Sequence, residues 1–218
     1  MARDLTTLLG PAGGGPPGPR SALVTMELQR GVVGDLSPLP TLAQAAADAG
    51  VVVHSARLAA AARSVGLPVV HCTVSFRADR AGTTANTPLL QALLADPAHL
   101  LEGSPAAELV PELGAQPTDL VCRRHHGVSP FLGTDLDATL RSAGVRVLVA
   151  AGVSINLGIL GLCIEAANLG YQVVLPTDAV AGVPASYAAD VLRHTLALIA
   201  TLTTTGEVLA SWAARAGP

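Results

Sequence analysis

The chain has no lysine. Its 13 basic residues other than histidine are all arginine, so no ammonium side chain is available to any site. Charged residues make up only 13% of the sequence and sum to a net charge of −3 without a basic cluster. That argues against nucleic acid as a partner, because phosphate binding needs concentrated Lys and Arg. Cysteine is scarce as well. Three unpaired-looking cysteines make no disulfide framework and point to a reducing compartment, with the cytoplasm as the expected location. No apolar run approaches the roughly 20 residues that span a bilayer, so no membrane partner is expected. Residues 1–9 read as too short and too polar for a signal peptide. What the chain does have is alanine, valine and leucine in short runs broken by Gly, Pro or charge. With 218 residues, half of them hydrophobic, it reads as one compact domain with a large core.

Residues 11–20 (Pro-Ala-Gly-Gly-Gly-Pro-Pro-Gly-Pro-Arg) have nothing to bury, so residues 1–20 are expected to form a flexible arm and residues 21–218 the domain. Apolar strands are predicted at residues 22–27, 68–73, 119–123, 146–151, 171–175 and 198–202. Helices are predicted at 41–65, 89–94, 134–143, 155–169 and 186–197. Thr204 and Glu207 form a capping-box pattern that opens a last helix. The irregular stretch from Phe76 to Pro117 reads as a lid or insertion. Strands alternating with helices give an α/β fold, a three-layer, doubly wound, mostly parallel sheet.

In such a sheet the site lies beyond the carboxyl ends of the strands. The residues there are Glu27, residues 73–77, 124–129 and 153–158, and Asp178. Three motifs occupy these positions. An apolar strand ends in an acid followed by a hydrophobic residue and Gln (Leu23-Val-Thr-Met-Glu-Leu-Gln29). A second segment reads His125-His-Gly-Val-Ser-Pro-Phe-Leu-Gly-Thr-Asp-Leu136, and a third Gly152-Val-Ser-Ile-Asn-Leu-Gly158. Together they resemble the isochorismatase-like cysteine hydrolase superfamily, over nearly everything from Ser21 onward. The resemblance implies a Rossmann-like fold and a homodimer or higher homo-oligomer. It places Glu27, His125 and Gly158 where the catalytic Asp, Lys and Cys of that superfamily stand, and Val153-Ser154 where its members often carry a non-proline cis peptide.

Glycine offers no nucleophile. Cys163 lies five residues further on, roughly 140° around a helix at about 100° per residue, and reads as a core residue, as do Cys72 and Cys122. The branch that the glycine resembles, the true isochorismatases, hydrolyses a vinyl ether by acid catalysis without a covalent intermediate. The expected activity is therefore noncovalent hydrolysis of a small anionic molecule at a vinyl-ether or related bond. Glu27 would be the general acid/base, His125 would enter the pocket, and Gly158 would leave room for substrate. Arg124, Ser75, Ser154 and Asn156 are the candidate substrate-binding residues, with Arg77 at the mouth. The alternative is a pseudoenzyme that binds a ligand or serves as a scaffold. An ordinary thiol amidase is opposed by the missing cysteine and lysine. No cofactor is expected, and no metal, because the Asp-His-His spacing of zinc-dependent relatives is absent after Thr73. Asp178 reads as a loop brace, His126 as peripheral, and His54, His71, His99 and His194 as structural or exposed.

Overall fold

The computed structural model describes residues 5–9 and 20–214. The expected three-layer α/β architecture is present. Its elements in chain order are α1 (Leu5–Leu9), β1 (Arg20–Met26), α2 (Pro40–Asp48), α3 (Val51–Ser64), β2 (Val69–Val74), α4 (Pro88–Leu94), β3 (Leu120–Arg124), α5 (Leu136–Ser142), β4 (Val145–Val153), α6 (Leu160–Asn168), β5 (Gln172–Pro176), β6 (Val180–Ala181), α7 (Ala185–Val191), α8 (Ala197–Ile199), β7 (Thr201–Thr203) and α9 (Thr205–Ala213). Among the described residues the sheet has seven strands in the order β3-β2-β1-β4-β5-β7, with β6 paired to β4, and every pairing is parallel.

Burial on both faces explains why the central strands are mostly apolar. From β1, Ala22, Val24 and Met26 face a core shared with Leu140, Leu162 and Ala166 of the α5 and α6 layer. Leu23 faces the opposite core with Leu58 and Ala62 of α3 and Val208 and Trp212 of α9. A third cluster, including Leu28, Val74, Phe76, Leu90 and Leu100, lies beyond the carboxyl ends of β1 and β2 under the lid. The lid is bonded to the sheet rather than loosely laid over it. The Gln29 side chain accepts from the Val74 N–H at 2.9 Å and donates to the carbonyls of Val74 at 2.9 Å and Ala107 at 2.8 Å. No helix of the described residues is long and apolar enough to cross a membrane.

Several expected boundaries move for identifiable reasons. The helix expected over residues 41–65 is two helices, because Gly50 takes φ 64° and turns the chain between them. The strand expected at 198–202 begins later: the chain stays helical to Ile199, placing buried Leu196 and partly buried Ile199 on one face and the 81%-exposed Leu198 outward. Only Thr201–Thr203 pairs with β5. Of residues 1–20, expected as a flexible arm, the structure describes Leu5–Leu9 and Arg20. Leu5–Leu9 is helical, with Leu8 and Leu9 buried against the α3 and α9 core, and Arg20 already belongs to β1. The Pro/Gly segment itself, residues 10–19, lies outside the described residues. Thr204 and Glu207 do form the capping box of α9, and Asp178 braces the same helix start by accepting from the N–H and hydroxyl of Thr205.

His71 is structural. It is wholly buried on β2, with Nδ1 2.7 Å from the Thr25 hydroxyl and Nε2 3.2 Å from Asp119, which in turn accepts two hydrogen bonds from Arg63. Burial pushes His71 below its ordinary value and outweighs the upward pull of Asp119. For Asp119 burial acts upward, but hydrogen bonds from Arg63, the Gln116 N–H and His71 outweigh it and hold the carboxyl low. The sign follows. Between the ordinary histidine value of about 6.5 and the lowered folded value, the unfolded chain binds more protons than the folded one, so stability falls as pH falls through that window. We expect the melting temperature to decline from pH 8 to pH 5.5. His71→Gln, less stable overall, will show a shallower decline when melts are followed by circular dichroism across that range.

Candidate active site

The central strand β1 delivers Glu27 to the carboxyl edge of the sheet, where its backbone adopts φ 54°. A side chain other than glycine enters that left-handed region at a cost of roughly 1–2 kcal/mol. The Glu27 N–H donates to the Cys72 carbonyl at 2.9 Å, which holds the residue against β2. Two strands away, the last residue of β3 is Arg124, and its Nη2 donates to the Glu27 carboxylate. Both side chains are withdrawn from water, at 16% and 6% exposure for Glu27 and Arg124. Arg124 Nε donates to the Gly127 carbonyl at 3.3 Å, whereas its Nη1 is buried without a partner. An orphaned buried donor carries a penalty of about 1–3 kcal/mol.

Glu27 and Arg124 line a cavity of about 80 Å³, together with Ser154 and Gly158 from the end of β4 and the wide turn that follows it. The Val153-Ser154 peptide is cis. The apolar wall comes from the lid and its surroundings, with Leu89, Leu90 and Leu93 of α4, Leu100, Phe76 and Leu39 among its residues. Glu27 is the cavity's one carboxylate among the described residues. His99, read from sequence as structural or exposed, is on the wall. It is 6% exposed, its ring is tilted against Phe76 with centroids 6.5 Å apart, and the ring makes no hydrogen bond among the described residues. Burial pushes its pKa below the ordinary value, with Asp96 opposing, so it is largely neutral at pH 7. Nothing in the local sequence marks His99 as a site residue. The lid brings it there.

Of the seven site residues expected from sequence, four meet at the cavity: Glu27, Arg124, Ser154 and Gly158. Three do not. His125, expected inside, is one residue beyond the end of β3; its Nδ1 lies 2.9 Å from the Ser75 carbonyl, and Arg124 takes the inward position instead. Ser75 contributes that carbonyl, while its hydroxyl is buried off the cavity. Asn156 Oδ1 is likewise buried and unpartnered, close beside Gly182. Arg77 pairs with Asp79 at the surface at 2.7 Å rather than lining the mouth. Among the described residues no three His, Cys, Asp or Glu side chains are grouped as metal ligands.

Gly158 lines the cavity but has no room for a side chain of its own without a shift of its neighbours. A Cβ added there would lie 2.9 Å from both Met26 Cε and the Val153 carbonyl oxygen. The Met26 methyl group and the Val153 carbonyl crowd the position. The cysteines are remote from thiolate chemistry: burial pushes Cys122 and Cys163 up to about 12, and Cys72 is raised further, first by burial and then by Cys122. Gly158→Ala is therefore expected to destabilise the fold by about 1–3 kcal/mol in urea unfolding, as overpacking does. In a double-mutant cycle with Met26→Ala the two changes will couple by about 0.5–3 kcal/mol, because removing the methionine tip relieves one of the two clashes.

Residues 21–207 match the isochorismatase domain family. Over 195 residues the chain is 31% identical to YecD, an uncharacterized isochorismatase family protein of Escherichia coli O157:H7, across 87% of this chain and 94% of that protein. It is 32% identical over 143 residues to the ureidoacrylate amidohydrolase RutB of Variovorax paradoxus, a match that takes in 60% of this chain and 56% of RutB. The solved structure of an isochorismatase family protein from Burkholderia thailandensis superposes with a TM-score of 0.75 at 29% identity, covering 90% of this chain and 97% of that one. The domain match over residues 21–207 and a relative 31% identical across 87% of the chain show that the chain belongs to the isochorismatase family.

Proposed function

We propose that the chain is a hydrolase that cleaves a small molecule without a covalent thiol intermediate, with Glu27 as general acid/base. The observation that carries this reading is the position of Glu27 as the sole carboxylate on the wall of a largely apolar cavity, held by Arg124. Glu27, oriented by the hydrogen bond from Arg124, takes a proton from water. The water oxygen bonds to the substrate's electrophilic carbon, the bond to the leaving group breaks, and the proton passes from Glu27 to that group. Arg124 keeps the carboxylate oriented. The anionic substrate expected from sequence assumed an arginine free to bind it. Here Glu27 already matches that charge, so the proposal keeps the small size and the acid/base role and drops the anion.

A second reading, a ligand-binding protein that has lost the chemistry, draws on Met26 and the crowding at Gly158. Turnover separates the two. On a panel of small amides, esters and vinyl ethers, we expect a hydrolytic activity that Glu27→Gln lowers by at least about a hundredfold, the scale of one acid/base group. Iodoacetamide will leave it unchanged, because no thiol takes part. Activity that survives Glu27→Gln would overturn the acid/base assignment, and a wild-type chain inert on the whole panel would favour the second reading.

A further inference from the structure

Arg124 can hold Glu27 only as firmly as Arg124 is itself held. Among the described residues its guanidinium has two acceptors, the Glu27 carboxylate at Nη2 and the Gly127 carbonyl 3.3 Å from Nε. Gly127 belongs to residues 125–135, a stretch between β3 and α5 with no helix or strand of its own, so its place is set by bonds to other segments. On one side of it, His125 Nδ1 lies 2.9 Å from the Ser75 carbonyl, and the His125 carbonyl accepts from the Thr83 hydroxyl at 2.8 Å. On the other side the partner is α6. There Glu165 Oε2 accepts from the Ser129 hydroxyl and, at 3.2 Å, from the Phe131 N–H. One turn earlier on the same face of α6 stands Gly161, and a Cβ added to it would lie 2.9 Å from Ser129 Cβ, so the segment is seated directly against the helix backbone. Gly127 and Val128, between the two attachments, line the cavity; Glu165 is not on its wall.

We propose that Glu165 is a positioning residue for this site. By seating residues 129–131 on α6 it fixes the Gly127 carbonyl, which fixes the Arg124 guanidinium, which orients the Glu27 carboxylate. The bearing on catalysis rests on reading Glu27 as the acid/base group; the seating itself does not. A segment without ladder bonds opens locally at little cost unless something ties it down. The tie here is strong for its size, because a carboxylate accepts charge-assisted bonds from a side chain and from the main chain at once. Precision is what it supplies: a displacement of about 1 Å passed on to an acid/base group can cost about a hundredfold in rate. Gly161 serves the same seating by excluded volume, since only the missing side chain lets Ser129 come so close.

The Arg124 Nε–H reports on the seating, because it donates to the Gly127 carbonyl from a side chain 6% exposed. Its NMR signal in the full chain, assigned by its loss in Arg124→Lys, gives its rate of exchange with solvent. Glu165→Ala should speed that exchange at least about tenfold, a change of about 1.4 kcal/mol in local opening, and the slowest amides of β1 and β4, which follow unfolding of the whole domain, should not share the factor. Glu165→Gln should restore slow exchange to within about threefold of wild type, because both bonds go to one oxygen and the amide oxygen has two lone pairs to accept them. Gly161→Ala keeps every hydrogen-bonding partner and pushes Ser129 away, so it should speed the exchange too, and it supplies the same test if Glu165→Ala does not fold. Where the substrate panel gives turnover, Glu165→Ala should lower kcat more than it raises KM. Wild-type exchange in Glu165→Ala or Gly161→Ala, acceleration no greater than that of the core amides, no rescue by Gln, or an unchanged kcat in Glu165→Ala would each overturn the proposal. If exchange responds as stated and the wild type is inert on the panel, the acid/base reading of Glu27 fails and the seating stands.

Discussion

At the carboxyl edge of the sheet a carboxylate and a guanidinium have left water together, on strands that are not neighbours. Removing two charges from water costs several kcal/mol for each ion, and the loss is offset only where geometry is good and the remaining polar atoms find partners. For Glu27 and Arg124 that geometry is a matter of register. Met26 stands opposite Cys72, Cys72 opposite Cys122, and Val74 opposite Arg124. A shift of one residue in β3 would turn Arg124 to the other face and leave the acid alone, because strand side chains alternate. The Gln29 side chain holds the same edge by bonding both the N–H and the carbonyl of Val74. Pairing, register and the Gln29 bracket are thus the conditions under which an acid can be kept in an apolar cavity.

The same packing decides what chemistry is available. The three thiols are buried and sit far above the range in which cysteine becomes a nucleophile. The position beside the cis peptide at Val153-Ser154 holds a glycine pressed against Met26. Met26 belongs to β1 and precedes Glu27, so the residue that crowds Gly158 and the one that supplies the acid are adjacent in the chain. Among the described residues one carboxyl lines the cavity, and the lid turns carbon toward it. Phe76 links these parts: it exchanges backbone hydrogen bonds with Leu100 and Glu102, packs against His99 and lies beneath the Arg80 guanidinium.

Much of the scaffold was legible because its signals are local. The largely buried strands β1, β2 and β4 are rich in apolar residues, and the α9 capping box is a four-residue pattern; each can be found without knowing its neighbours. Where the outcome depended on a neighbour, the reading went astray. Residues 198–202 are apolar enough for a strand, and only the packing of Leu196 and Ile199 against the core decides that the chain stays helical to Ile199. Arg124 and His125 are adjacent in sequence and chemically plausible in the same role. Which of them faces the cavity depends on where β3 ends.

From sequence alone the parallel α/β architecture, the edge of the sheet that bears the site, the acid at the end of the central strand and the absence of a nucleophile at position 158 could be read, since each follows from residue identity and short-range periodicity. Tertiary structure alone decided that Arg124 rather than His125 meets Glu27, that His99 and the α4 leucines form the cavity wall, and that Met26 crowds Gly158. Those outcomes are set by contacts between segments tens of residues apart, where charge balance and excluded volume, not local preference, select the arrangement.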